Sequence, residues 1–148
     1  MTAENSDTLY VFEAPVDLLS HATIAKRANR IRADNGLEEY NPTSWNTVNR
    51  VSLSGVSSVG LEGFLERNPQ VKNIVFALDN DETGRRAATN LEKVYIEKGF
   101  NCKKIVPRMG KDWNEYLQLA SAQVGYAAKK QAEQRSVEKV QSVGYGRR

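Results

Sequence analysis

Phe76-Ala77-Leu78-Asp79-Asn80-Asp81-Glu82-Thr83-Gly84-Arg85-Arg86-Ala87-Ala88 is the stretch that decides the reading of this chain. The run Val75–Leu78 is apolar and long enough for a buried strand, and helix-forming sequence follows the acids. Asp79 therefore falls at the carboxyl end of a strand and Asp81 in the turn beyond it. In open α/β sheets that edge is where ligands bind. Two carboxylates one residue apart repel each other unless a proton or a cation intervenes. Mg²⁺, an oxygen-seeking ion, is held by as few as one or two carboxylates.

Working outward, the same arrangement recurs. Leu9-Tyr10-Val11-Phe12 is apolar and ends in Glu13, with Ala14-Pro15-Val16-Asp17 next. Asp112 follows the strand-like Lys104-Ile105-Val106 and a loop with Pro107 and Gly110. Asp is a common helix N-cap, so one acid at such a place means little. Three strand-to-helix junctions with acids, one of them Asp-x-Asp, ask for a shared cause.

The rest of the chain supports that layout. Strands are predicted near 8–13, 50–54, 73–79 and 102–106. A first helix begins at Pro15, which suits a first turn because its missing N–H costs nothing there. Its apolar positions are Val16, Leu19, Ile24, Ala28 and Ile31, and Asn35-Gly36 stops it. A second helix carries Leu61, Phe64 and Leu65. A third carries Ala87, Ala88, Leu91, Val94 and Tyr95 and ends at Gly99, and a fourth starts at Trp113. This alternation predicts an α/β fold with a central parallel sheet of four strands flanked by helices. Right-handed crossovers then bring every strand's carboxyl end to one edge.

At 148 residues the chain suits one domain. One cysteine and one histidine exclude an internal disulfide and argue against a classical zinc site. No apolar run approaches the roughly 20 residues that span a bilayer. The polar Met1–Asp7 lacks the apolar core of a signal peptide, so the expected setting is cytoplasmic, with no membrane partner. The net charge of +3 is unevenly spread, since residues 121–148 carry +4 and the remainder −1. A domain over 8–120 followed by a basic, partly helical or disordered extension over 121–148 is expected. A basic extension can touch nucleic acid, although a solvated helix or a frayed terminus is the more ordinary account of it.

In order, these segments resemble the motifs of Toprim domains. Val11-Phe12-Glu13-Ala14-Pro15-Val16-Asp17 is similar to the first motif, a glutamate closing the first strand. Leu53-Ser54-Gly55-Val56 is similar to the small-residue turn after the second strand. Ala77–Ala88 resembles the Asp-x-Asp-x-x-Gly form found in bacterial primases, and Lys111-Asp112-Trp113-Asn114-Glu115-Tyr116-Leu117 resembles the Asp-containing segment after their fourth strand. The resemblance spans about 8–120 and is nearest to Toprim modules of primase-like proteins of mobile elements. It implies a Toprim-like, Rossmann-like fold and Mg²⁺-dependent (or Mn²⁺-dependent) phosphotransfer on DNA or RNA.

By the resemblance Asp79 and Asp81 would be metal ligands, and Glu13 the general acid or base, or a further ligand. Arg85, Arg86 and Lys111 are the candidate nucleic-acid contacts; Arg85 and Arg86 equally suit internal pairs with Asp81 and Glu82. Asp17 and Asp112 suit helix starts as well as function. The usual Gly after the first-motif Glu is Ala14 here. The zinc-binding and cleavage domains that primases or topoisomerases also need are missing from this stretch, so complete priming or strand passage is expected only within a larger protein. A non-catalytic Toprim scaffold binding nucleic acid or protein is the alternative. A receiver or a dehalogenase-like domain fits less well, because Glu13 stands where the latter's nucleophilic Asp would be.

Overall fold

The computed structural model describes residues 1–54 and 57–144, with side chains described through residue 139. Gly55 and Val56, half of the expected small-residue turn, and Tyr145 to Arg148 lie outside the described residues. The elements run β1 (Thr8–Phe12), α1 (Pro15–Asp34), a 3-10 turn (Ser44–Asn46), β2 (Asn49–Ser52), α2 (Val59–Arg67), β3 (Asn73–Phe76), α3 (Glu82–Glu97), β4 (Asn101–Lys104) and α4 (Trp113–Gly144). The four strands form one sheet in the order β2-β1-β3-β4, and every pairing is parallel. Two compact units divide the chain, Met1–Leu117 and Gln118–Arg148. Among the described residues no helix is long and apolar enough to cross a membrane.

Ladder pairing stops earlier than the apolar runs do. β3 ends at Phe76, yet Ala77 and Leu78 stay buried, and the Ala77 N–H still donates to Val11 O at 2.8 Å. Likewise β4 ends at Lys104, with one more bond from Ile105 N–H to Phe76 O. The sequence marks burial, and burial outlasts regular pairing at the edge where the strands deliver their side chains.

Side-chain alternation splits the core between the two sheet faces. Leu9, Val11, Ile74, Phe76 and Leu78 meet Leu61 and Phe64 of α2 and Ala88 and Tyr95 of α3. On the other face Phe12 and Ala77 meet Leu18 of α1 and Trp113 of α4. Burying each large apolar side chain contributes roughly 1.5–3 kcal/mol. The indole N–H of Trp113 donates to Ala77 O at 2.9 Å, so α4 is tied to the end of β3 by a polar bond as well.

Helix α1 does not bury the face expected of it. Val16, Leu19 and Ile31 are about half exposed, while Asp17, Leu18, Ser20, Ala22 and Asn29 are buried. The reason is a set of hydrogen bonds that no periodicity records. Asp17 accepts from the Asn114 N–H at 3.1 Å, and Ser20 Oγ donates to Asn114 Oδ1 at 3.3 Å. Asn29 Oδ1 accepts from the Asn41 N–H at 2.9 Å and so pins the loop after the helix.

A buried cation sits on the same face. Arg50 is 1% exposed; its Nε donates to His21 Nδ1 at 3.2 Å and its Nη1 donates to the Trp45 and Val48 carbonyls. The His21 ring lies against Tyr10, Phe12 and Trp113, with centroids 5.0–5.1 Å away. Burial, and then the Arg50 charge, push the His21 pKa down to about 4. Its folded value lies below its unfolded value near 6.5, so this stabilisation is present above pH ~6.5 and is lost as pH falls through about 4. Roughly 3 kcal/mol is at stake. Urea unfolding at pH 7 and pH 4.5 should show His21→Gln losing less stability on acidification than the wild type. Identical losses would contradict this.

Candidate functional site

Parallel pairing of β1 with β3 sets Phe12 and Phe76 at neighbouring strand ends, so the residues that follow share one edge. Glu13 leaves β1 there. Its carbonyl accepts a hydrogen bond from Ser52 Oγ of β2 at 3.2 Å, a positioning contact that the sequence did not announce. Asp79 and Asp81 leave β3 at the same edge. Asp81 is extended, with φ −127° and ψ 177°, and its Oδ1 accepts from the Gly84 N–H at 2.7 Å. It is thus the N-cap of α3, and Oδ2 is left for another partner. That partner is Lys111, whose Nζ stands 3.3 Å from Asp81 Oδ2 and 3.7 Å from Asp79 Oδ2.

Gly84 explains the closeness of the group. A Cβ built on it would lie 2.2 Å from Asp79 O and 3.0 Å from Glu13 Oε1. The first turn of α3 therefore presses its bare backbone against the Asp79 carbonyl and the Glu13 carboxyl. Glu13 Oε1 is buried and has no hydrogen-bond partner. A buried polar atom left unpaired costs about 1–3 kcal/mol, so such an atom in a site marks a missing partner.

The electrostatics separate the three acids. Burial raises the Glu13 pKa, and the charges of Asp79 and then Asp81 raise it further. Burial also raises Asp79, against the pull of Lys111. Asp81 is lowered, first by the Gly84 N–H and then by Lys111. The nearness of Asp79 favours the proton on Glu13 rather than on Asp79. Neighbouring carboxyls whose pKa values are pushed apart are the usual arrangement for dividing proton transfer from charge binding.

The remaining candidates fall around this centre. Arg85 Nη1 donates to Asn80 Oδ1 at 3.0 Å, at the rim. Arg86 pairs with Glu82 at 2.7 Å on the exposed side of α3 and does not join the acids. Asp112 caps α4, its Oδ1 accepting from the Glu115 N–H at 2.7 Å. Asp17 likewise holds the α4 start, and burial raises its pKa. For both, the structural use is the one observed. A cavity of about 220 Å³ opens beside Asp79, between α3 and the end of β4, with Arg85 and Lys104 among its lining residues.

A glutamate after β1, Asp-x-Asp-x-x-Gly after β3 and an Asp-containing segment after β4 now share one edge of a parallel sheet. The profile of the family described as Toprim-like matches residues 10–117. The chain belongs to the Toprim-like family.

A Mycoplasma pneumoniae protein, described as an uncharacterized homolog of MG010, is 35% identical over 74 residues, covering 49% of this chain and 34% of that protein. The match thus spans about a third of that curated relative's length. A solved structure of an Aquifex aeolicus protein shares 14% identity and aligns with a TM-score of 0.43 over 67% of this chain and 70% of that one.

Toprim domains generally bind Mg²⁺ and belong to metal-dependent work on nucleic acid. The residues present fit such an ion: the donors are all carboxylate oxygens, and Glu13 Oε1 is orphaned against them. Among the described residues no three His, Cys, Asp or Glu side chains form a ready-made cage. Mg²⁺ does not require one, because it keeps several waters and binds through one or two carboxylates plus substrate phosphates.

Proposed function

We propose that this Toprim-like domain catalyses metal-dependent phosphoryl transfer on DNA or RNA, by nucleotidyl transfer or phosphodiester cleavage, as the Toprim module of a larger primase-like, DNA-processing protein. The observation that carries the reading is the buried, unpartnered Glu13 oxygen beside Asp79 and Asp81 across a glycine that admits no side chain. Asp79 and Asp81 would hold Mg²⁺ or Mn²⁺, with Glu13 as a further ligand or as proton carrier. The ion would supply charge stabilisation on phosphoryl oxygens. Glu13, with its raised pKa, would take a proton from the attacking hydroxyl or give one to the leaving oxygen. Arg85, Arg86 and Lys111 would meet backbone phosphates, and phosphate would then replace Asn80, Glu82 or the acids as their partner. The basic residues of 121–148 would add sequence-independent attraction to nucleic acid. A cytoplasmic setting and an origin in a mobile element accord with this reading.

The alternative is a scaffold that binds nucleic acid or protein without chemistry, and the Lys111 ion pairs favour it, because they neutralise the acids without a metal. Incubation of the chain with labelled single-stranded and duplex DNA and RNA separates the two, with and without Mg²⁺ or Mn²⁺ and nucleoside triphosphates. The catalytic reading expects metal-dependent cleavage or extension that Asp79→Asn with Asp81→Asn removes. Nucleic-acid binding indifferent to metal, and no turnover from either the chain or its parent protein, would favour the scaffold.

A further inference from the structure

Lys111 is held in place with unusual thoroughness for an exposed lysine. Its carbonyl accepts from the Asn80 N–H at 2.6 Å, which ties the loop after β4 to the residue between the two aspartates. Its own N–H donates to Glu115 Oε2 at 2.5 Å. The Glu115 side chain folds over Gly110 to reach it. Gly110 has φ +75°, and a Cβ there would sit 2.8 Å from Glu115 Oε2. Both backbone ends are thus fixed, and the ammonium is delivered to Asp79 and Asp81 together. Asp81 has no freedom to turn away, because its Oδ1 is committed to capping α3.

We propose that Lys111 is a built-in counter-ion that competes with the divalent cation for Asp79 and Asp81 and is drawn off by nucleic-acid phosphate. The inference rests on those aspartates being the cation site. A +1 ammonium and a +2 ion cannot share two carboxylate oxygens without strong repulsion, so one must leave. Lysine suits the part: its ammonium is a compact charge on a flexible stem and can turn to a phosphate while its backbone stays bonded. Metal binding and nucleic-acid binding then support each other, because each gives the other's displaced group a partner. Such coupling is reciprocal. The free domain would hold its metal weakly, and the site would load where phosphate is present.

The test is Mn²⁺ binding to the full chain, read by electron paramagnetic resonance of free Mn²⁺, with and without a short oligothymidylate. Wild type should bind Mn²⁺ more tightly when the oligonucleotide is present. Lys111→Gln should bind Mn²⁺ roughly three- to tenfold more tightly than wild type without oligonucleotide, the scale set by one or two exposed ion pairs. It should also show a smaller gain on adding oligonucleotide. Lys111→Arg keeps the charge and should stay near wild type, and Lys111→Met should follow Lys111→Gln. Unchanged or weaker Mn²⁺ affinity in both uncharged variants, with binding still abolished by Asp79→Asn plus Asp81→Asn, would overturn the counter-ion role alone. Binding untouched by the aspartate substitutions would overturn the role together with the site on which it rests.

Discussion

If Glu13 acts mainly as general acid or base, Glu13→Gln should slow phosphoryl transfer by roughly 10²–10⁴-fold, the usual scale for such a group, while metal and nucleic-acid binding stay close to wild type. Glutamine keeps the shape of the side chain and can sit in the same pocket against Gly84. What it loses is the titrating proton, and the structure prepares that proton carefully. Burial, and then the charges of Asp79 and Asp81, raise the Glu13 pKa from its ordinary value. The pH profile tells the roles apart. If Glu13 acts as base, activity rises with pH through its raised pKa; if it acts as acid, activity is lost over the same window. Either limb should vanish in Glu13→Gln. Asp79→Asn, in contrast, should weaken metal binding and rate together. Full activity in Glu13→Gln, in an assay where the aspartate variants are dead, would remove Glu13 from the chemistry.

Gly84→Ala should be strongly damaging. Alanine is favoured over glycine within helices by about 1 kcal/mol. Against that gain stands a methyl group 2.2 Å from the Asp79 carbonyl oxygen, a backbone atom fixed by the end of β3. Overpacking of this kind costs typically 1–3 kcal/mol and sometimes more, and a contact this short belongs at the upper end. A net loss of about 2 kcal/mol or more is expected, with displacement of Asp79 and Glu13 and loss of metal binding. Gly125→Ala is the control: nothing lies within 4 Å of a Cβ there, and the residue is within α4. It should leave stability unchanged or raise it by up to about 1 kcal/mol. Equal effects at the two glycines in chemical denaturation would contradict the steric reading.

Much of the fold was legible because the strands are apolar runs and the acids stand directly after them. The first strand, expected near 8–13, spans Thr8–Phe12, and Pro15, Gly99 and Trp113 mark helix boundaries within a residue or two of those observed. A parallel sheet puts Glu13 and Asp79 on one edge, and the strand order, which the sequence does not state, makes β1 and β3 neighbours. What was hidden depends on partners distant in sequence. Asp17, Ser20 and Asn29 are buried because Asn114 and Asn41 come to them, and no helical periodicity encodes that. Arg50 opens the strand expected near 50–54, and nothing local shows that His21 and the Trp45 and Val48 carbonyls enclose it. Lys111 was legible as a basic residue near the site, but its pairing with both aspartates depends on how the loop after β4 crosses the one after β3. Gly84 stood in the motif as a letter; its necessity is visible only as the space that Asp79 and Glu13 occupy.

On the proposed function, Asp79 and Asp81, with Glu13 beside them, would form one divalent-cation site. Paramagnetic broadening by substoichiometric Mn²⁺ in the amide spectrum of the isotope-labelled chain, with an oligonucleotide present, tests it most directly. The expected result is loss of the amide signals of residues 12–14, 79–84 and 111–112 before any others, restored by excess Mg²⁺. Broadening first at other acids, such as Glu133 and Glu138 of α4, or no selective broadening at any Mn²⁺ concentration, would contradict it.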